Sequence, residues 1–497
     1  MSTTVAGRGK QADVGVAFPQ GTSGSALFAR LLEETIAAFP AAFGGLRVAR
    51  GKEFRATYGE LVTQFEERRA RAENRTEIAL HLARRQLESF VFESETGSRP
   101  LLEAFAEKAE PLALTTGTGE PSRDAVIAVP YLGTIHRADE LATLGSEFVA
   151  RHTSTVAAAR ALSWIGARAE KSGALDLREE RFAVLGAAAE IAPTQQLIHT
   201  GARVLWIDVQ EPPPALRLAN VSWVAGGADL LASPVRIART IDAFADGHPL
   251  RIGAYAYAPG RGREWRLAVA MNAIAHRIDP THAASLSMLL SPTTPAVAQP
   301  EDLAARLLRI SQAKLWQRGL VNAGWLTEAH VGSGDSTVVR AVVAAQGPTY
   351  QAAQYLAKRI FSEALAGHGS ALAATAVGSA AAHRPLVVSA NVAPITRTRS
   401  LQHPVFEAGF LGAPRFGVEI FDPQTTRALG AMMMLHDLLN EASPAATSRT
   451  PAQAAALYQQ QIHGGIFGMP WALDRAIGAA AAIGFAQRPR LLARMLR

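Results

Sequence analysis

The stretch Arg181-Phe-Ala-Val-Leu-Gly186-Ala-Ala-Ala-Glu190-Ile-Ala192-Pro-Thr-Gln-Gln-Leu-Ile-His-Thr-Gly201-Ala-Arg-Val-Leu-Trp-Ile-Asp208 decides the fold. An apolar run of strand length enters a turn of small residues, and a helical segment follows. Gly-Ala then leads into a second apolar run that ends in an acid. Short apolar runs joined by a helix form parallel βαβ units, because parallel strands need a crossover connection. The turn lets backbone approach a pyrophosphate, whose charge is favoured at a helix N-terminus with unsatisfied N–H groups. Asp208 stands 22 residues after Gly186, close to the ~20 expected of a carboxylate that bonds an adenosine ribose.

The same rhythm continues outward. Apolar runs at Phe182–Leu185, Val204–Val209, Val221–Val224, Leu250–Tyr255, Ser285–Leu290 and Leu386–Ser389 alternate with helical segments. The fold class this predicts is α/β, a doubly wound parallel sheet over about residues 176–405, covered on both faces. Extra helix and the loop Gly332-Ser-Gly-Asp-Ser336 read as an insertion at about 300–345. Residues 1–175 read as a mainly helical N-terminal region and 406–497 as a helical C-terminal extension. In the first, Leu27, Leu31, Leu32 and Ile36 predict a helix from Gly24 to before Pro40. Further helices are expected over 58–92 and 138–169, a loop over 113–123 and a buried strand from Ala125.

With 497 residues, the chain exceeds what one hydrophobic core usually serves, so two or three domains are expected. Cysteine is absent, which removes disulfides, thiolate nucleophiles and cysteine-bound metal together. The histidines show no metal spacing, so no metal site is expected. Gly-x-Ser-x-Gly and the phosphate-binding Gly-x-x-x-x-Gly-Lys-Ser/Thr are also absent, against a hydrolase and a triphosphatase. The net charge of +7 is arginine spread along the chain rather than a basic stripe with interleaved aromatics, so nucleic acid is not an expected partner. Its one concentration is the tail from Arg488 to Arg497, read as a solvated helix end or a site for anionic lipid or an acidic partner. No apolar run reaches membrane-span length and the N-terminus lacks a secretory signal, which predicts a cytoplasmic protein.

Taken in order, the later pieces resemble the short-chain dehydrogenase/reductase family, whose core is a Rossmann-type sheet. Gly227-Ala228-Asp229-Leu230 follows the third strand, where the family places an acid beside the adenine. Tyr255-Ala-Tyr257-Ala-Pro-Gly260 follows the fourth, and Asn272 stands at the place of the family's helix asparagine. Ser291 ends the fifth strand, where the family has its serine. Tyr350-Gln-Ala-Ala-Gln-Tyr355-Leu-Ala-Lys358 reads as the catalytic helix. Leu386-Val-Val-Ser-Ala-Asn-Val-Ala-Pro394-Ile-Thr396 is similar to the sixth strand and its loop. The resemblance spans some 210 residues, less than half of the chain.

The resemblance implies hydride transfer between NAD, with NADP disfavoured by Asp208, and a carbonyl or alcohol. It assigns catalysis to Asn272, Ser291, Tyr355 and Lys358. It assigns cofactor contacts to Gly186, Ala187, Glu190, Ile191, Asp208, Asp229, Leu230, Lys358, Pro394 and Thr396. The sequence departs from the family at Glu190 and Ala192, which replace glycines, and at Gln354, where Tyr-x-x-x-Lys would place the tyrosine. Tyr355 takes that role because i,i+3 neighbours share a helix side, whereas Tyr350 points elsewhere. A Tyr355 hydroxyl facing the N-terminal helices would leave the core without a proton donor. Each residue also has a plain structural reading: Asn272 bonding helix backbone, Ser291 a strand-end turn, Tyr355 packing, Lys358 solvated. A non-catalytic scaffold acting through a protein or membrane partner therefore stands beside the enzyme. The apolar segments Val405–Phe410 and Ile466–Trp471 suggest a bulky apolar small-molecule substrate. A homo-oligomer is expected, and peripheral membrane contact is compatible with the sequence.

Overall fold

The computed structural model describes residues 14–121, 127–172, 175–260, 262–278, 282–374 and 386–495. Its centre is a seven-stranded, mostly parallel sheet. The strands in chain order are β1 (Leu114–Thr116), β2 (Arg181–Leu185), β3 (Arg203–Ile207), β4 (Val221–Val224), β5 (Leu250–Ala254), β6 (Ala283–Leu290) and β7 (Val387–Val392). They lie side by side in the order β7-β6-β5-β2-β3-β4-β1, and only β1 runs antiparallel, on β4. The chain thus builds one half outward from β2, then returns to build the other half from β5. Between β2 and β5 the direction of winding reverses, the place where open α/β sheets form a crevice at the strand ends.

The parallel strands bury both faces, while the edge strand β1 is exposed. Along β2, Ala183 and Leu185 enter one core while Phe182 and Val184 enter the other. That alternation is the period of two inherent in extended backbone. The first core is closed by α1 (Gly24–Ala38), α2 (Gly51–Arg71) and α3 (Arg75–Glu88), and the second by α4 (Glu140–Ala150) and α5 (Val156–Ser172). The N-terminal helices therefore share their hydrophobic core with the sheet. Later helices are α6 (Arg263–Arg277), α7 (Pro300–Ser311), α8 (Leu315–Asn322), α9 (Phe361–Ala374), α10 (Pro404–Gly412), α11 (Pro423–Leu439) and α12 (Leu473–Gln487). The predicted insertion is α7, α8 and a small antiparallel sheet of two-residue strands.

All six predicted parallel strands are present, and four local expectations are corrected. Residues 114–116, expected in a loop, form the edge strand β1; residues 122–126, including the start of the strand expected from Ala125, lie outside the described residues. Ala128–Tyr131 pairs only with Thr134–Arg137, as a separate hairpin. The helix expected over 138–169 breaks between α4 and α5, where His152 takes a left-handed φ of 56°. The helix expected over 58–92 stops at Arg71 and restarts at Arg75, after Asn74. Residues 1–13 of the loose N-terminus lie outside the described residues, and Gly15–Ala17 pairs with Val91–Glu93.

A π-helix, Ala352–Ile360, runs directly into α9. Its orientation is fixed by a buried ionic cluster. Arg69 on α2 donates to both Glu66, at 2.8 and 2.9 Å, and Glu363 on α9, at 2.7 and 3.1 Å. Arg75 donates two further bonds to Glu363, at 2.7 and 2.9 Å. The arginines hold both carboxyls below their usual range, against the desolvation that pushes them up. Removing one partner of such a group strands the other's charge in a dry interior. Arg69→Met should therefore lower unfolding free energy by about 3–5 kcal/mol in urea denaturation, while an unchanged midpoint would show that the cluster carries no stability.

Candidate functional site

The carboxyl end of β6 meets the π-helix, and there a hydroxyl pair is assembled. Ser291 follows the last residue of β6, and Tyr350 lies in the short helical turn that opens the π-helix. The Tyr350 hydroxyl donates to Ser291 Oγ at 2.8 Å. Ser291 Oγ also bonds Thr293 Oγ1 at 2.7 Å, and Thr293 Oγ1 donates to Gln346 Oε1 at 2.8 Å. Burial and the nearby Glu264 carboxyl raise the Tyr350 phenol above its usual range, while the Ser291 and Thr293 hydroxyls pull it back. The net shift is upward, so at neutral pH this phenol keeps its proton and is a weaker acid than a free tyrosine.

Lys358 lies on the same side. Its Nζ donates to the Leu289 carbonyl at 3.2 Å, two residues before Ser291. Burial lowers its pKa, and Glu264 partly restores it. Glu264, in the first turn of α6, accepts a hydrogen bond from Gln354 Nε2, and Gln354 Oε1 accepts from the Ser291 backbone N–H at 3.2 Å. Burial pushes the Glu264 carboxyl up to about 7, although Lys358 and Gln354 oppose the shift. A continuous hydrogen-bonded path thus links Glu264 through Gln354 to Ser291 and Tyr350.

Tyr355 is not part of this group: its hydroxyl faces the N-terminal helices, the arrangement expected to leave the core without its assigned proton donor, so a dehydrogenase reading has to rest on Tyr350 instead. Its hydroxyl donates to Glu66 Oε2 at 2.6 Å, buried against α2. The cause is the winding of the helix. In the α-form three residues turn a side chain through about 300°, leaving Tyr355 and Lys358 on one side. A π-helix bonds i to i+5, turns roughly 80° per residue, and leaves them about 120° apart. With two steps in the short α-turn and six in the π-helix, Tyr350, eight residues before Lys358, comes to within about 40° of two complete turns. Tyr350 therefore holds the position assigned to Tyr355. Asn272, at its predicted place on α6, donates to the Ala357 carbonyl at 2.6 Å and positions the π-helix rather than facing the hydroxyl pair.

The cofactor residues divide. Gly186 has φ 83°, and a Cβ there would lie 2.2 Å from Ala256 Cα, so only glycine lets the ends of β2 and β5 approach. Asp208 is a partly exposed carboxylate at the end of β3 that accepts from Ala188 N at 3.0 Å and Gln210 N at 3.1 Å. The expected helix does not start at the turn. Ala187, Glu190 and Ile191 lie in an irregular loop, and the helix begins at Thr194 and lasts six residues. Backbone N–H groups of Gly186, Ala187, Ala188 and Ala189 are bonded within the turn region. Glu190 reaches across the strand ends to accept from Arg399 N at 3.0 Å, and its own carbonyl accepts two bonds from Arg427.

Four other assignments have their side chains committed elsewhere. Asp229 Oδ1 accepts from Leu231 N at 2.7 Å and caps its own turn, while Leu230 is buried in the core. The Thr396 hydroxyl bonds Pro394 O at 2.9 Å and Thr426 Oγ1 at 2.7 Å, inward rather than over the strand ends. Pro394 is buried in that same turn. Sequence reasoning missed Tyr350 and Glu264. The signal for Glu264 was available, a carboxylate opening the helix that follows the fourth strand.

Among the described residues no group of three or more histidine, aspartate or glutamate side chains could hold a metal, and no helix is long and apolar enough to cross a membrane. Comparison with protein-family models, with curated proteins and with solved structures finds no match for this chain.

Glu264 predicts a pH dependence. A carboxyl raised to about 7 in the folded protein and ordinary when unfolded binds its proton more tightly when folded. Its stability contribution is complete below the ordinary carboxylate range and is lost as pH rises through about 7. Glu264→Gln keeps a hydrogen-bond acceptor for Gln354 and removes the titration. Melting temperatures of this variant should fall less than wild type between pH 5 and pH 8, by the order of 3 kcal/mol in stability. Asp437, also raised to about 7 by burial, keeps the remaining slope. Parallel curves for the two proteins would place the Glu264 pKa near normal.

Proposed function

We propose that this protein is an NAD-dependent oxidoreductase acting on a carbonyl or alcohol, with a Rossmann-like sheet of the short-chain dehydrogenase kind. The observation that carries the reading is the Tyr350–Ser291 hydroxyl pair, 2.8 Å apart, at the carboxyl end of β6. The strand order supports it, because six parallel strands with one reversal of winding form the crevice in which such sheets bind nucleotides. The Asp208 carboxylate suits a ribose diol and repels a 2′-phosphate, favouring NAD over NADP. When bound, the nicotinamide supplies or accepts the hydride.

The chain's own residues do the rest. Ser291 donates to the substrate oxygen and fixes it beside Tyr350. Tyr350 delivers its hydroxyl proton to that oxygen on reduction and recovers it on oxidation. Lys358 places positive charge at the strand end, and Glu264 holds a proton near neutral pH two hydrogen bonds from Ser291. The Ser291 and Thr293 hydroxyls favour the phenolate that proton transfer leaves behind, while burial and an ionised Glu264 oppose it.

Ile395, Val405, Phe406, Phe410, Phe416 and Met469 line an apolar cavity of about 50 Å³ between α10 and α12, too small as it stands for a bulky substrate, so the apolar substrate rests on the composition of Val405–Phe410 and Ile466–Trp471. Ile395 follows β7 by three residues, and Val392 of β7 pairs with Leu290, the residue before Ser291. A second reading, a non-catalytic scaffold, has one observation in its favour: Glu190 already links the Gly186 turn to Arg399 N, where a diphosphate would be expected.

Two measurements separate the readings. Millimolar NADH should raise the melting temperature, since a ligand that binds only the folded state stabilises it, and NADPH should do so less. With NADH and a panel of hydrophobic aldehydes and ketones, Tyr350→Phe should lower turnover by roughly two to four orders of magnitude. Tyr355→Phe should instead reduce stability by about 1–3 kcal/mol and leave turnover largely intact. No thermal shift with either cofactor would favour the scaffold. Turnover lost in Tyr355→Phe but retained in Tyr350→Phe would overturn the assignment.

A further inference from the structure

Large apolar side chains exposed to solvent are concentrated in one place. Of the fourteen most exposed among the described residues, six lie between positions 307 and 325: Leu307, Leu308, Ile310, Leu315, Trp316 and Trp325. Leu315 is 85% exposed, Trp325 68% and Leu307 63%. All belong to the α7–α8 hairpin or the turn that follows it. Single exposed apolar residues need no explanation, but a hairpin that gathers two tryptophans and four aliphatics marks an interaction surface.

The charge of the hairpin identifies what it meets. Between Asp302 and Glu328 there is no acidic residue, while Arg306, Arg309, Lys314 and Arg318 are all basic. Two of these hold the hairpin to the body. Arg306 pairs with Glu328, and Arg309 donates to the Gly465 carbonyl at 2.7 Å and the Gly417 carbonyl at 3.0 Å. The Trp316 ring meets Phe416 edge to face with centroids 5.6 Å apart, and Gln317 donates to the Arg415 carbonyl at 3.2 Å. Lys314 and Arg318 remain exposed beside Leu315 and Trp325. Tryptophan and leucine flanked by lysine and arginine, with no acid, is the composition that settles in the interface of an anionic bilayer. The hairpin is anchored on Phe416, which also lines the apolar cavity.

We propose that the α7–α8 hairpin is a membrane-docking surface that seats the protein on anionic lipid. Leu315 and Trp325 enter the acyl boundary, and Lys314 and Arg318 contact the headgroup phosphates. The surface is independent of the oxidoreductase reading and is tested without cofactor or substrate.

The test uses the full chain and vesicles of phosphatidylcholine, with and without phosphatidylglycerol, read by co-sedimentation. The protein should sediment with phosphatidylglycerol vesicles at low salt and be released at high salt, because exposed charges are screened. Leu315→Ser combined with Trp325→Ser should reduce the bound fraction by about tenfold, since buried apolar area drives interfacial binding. Lys314→Glu combined with Arg318→Glu should abolish the preference for phosphatidylglycerol. Both pairs are at the surface, and unchanged melting temperatures would show that loss of binding is not loss of fold. Absence of vesicle binding by wild type, or binding undiminished in both double variants, would overturn the proposal. Self-association at micromolar concentration that is abolished by the Leu315 and Trp325 changes would also overturn it, assigning the surface to a second copy of the chain.

Discussion

The rotation of one helix depends on charges that cannot be left alone in the interior. Glu66, Arg69 and Glu363 have fully buried side chains, and Arg75 is nearly so. Their mutual bonds join α2 and α3 to α9, and the Tyr355 hydroxyl completes the set on Glu66. With Tyr355 committed to that side and Asn272 holding the Ala357 carbonyl, the π-helix has one orientation. Tyr350 and Lys358 then face the carboxyl ends of the sheet. The N-terminal helices, which carry no motif of their own, are thus what aims the hydroxyl pair.

The sheet was legible in the sequence because its parallel strands are buried on both faces. Phe182–Leu185 and Val204–Ile207 read as unbroken apolar runs for that physical reason. Strand β1 was not legible. Leu114, Thr115 and Thr116 are exposed and pair with β4 alone at the sheet edge, so their composition resembles a loop. At the site, Ser291, Asn272, Lys358, Gly186 and Asp208 stand at the strand ends or helix positions expected of them. Tyr355 and Tyr350 were exchanged because spacing rules assume α-helical winding. Nothing in the local sequence signals a π-helix, whose wider turn is set by packing against α2, α3 and α6. Asp437 was invisible for a related reason: it joins Ser389 and Asn391 only through the fold.

The two ends of the crevice differ in chemistry. At the β6 end, polar groups converge and burial shifts their proton affinities, the condition under which acid–base work becomes possible at neutral pH. At the β2 end, the turn's N–H groups are spent on local bonds, and Glu190 ties the turn to the segment after β7. Under the proposed function, that carboxylate would stand where a diphosphate carries its charge. Binding a dinucleotide in this crevice therefore entails breaking the Glu190–Arg399 hydrogen bond, a local cost that the cofactor's own hydrogen bonds to the strand ends must exceed.

The most direct measurement is a crystal structure of the protein grown with NADH. The account predicts density for a dinucleotide along the ends of β2, β5 and β6, with its ribose near Asp208, its nicotinamide beside Tyr350 and Ser291, and Glu190 released from Arg399. A crevice without density at millimolar NADH, with the Glu190 hydrogen bond intact, would contradict it.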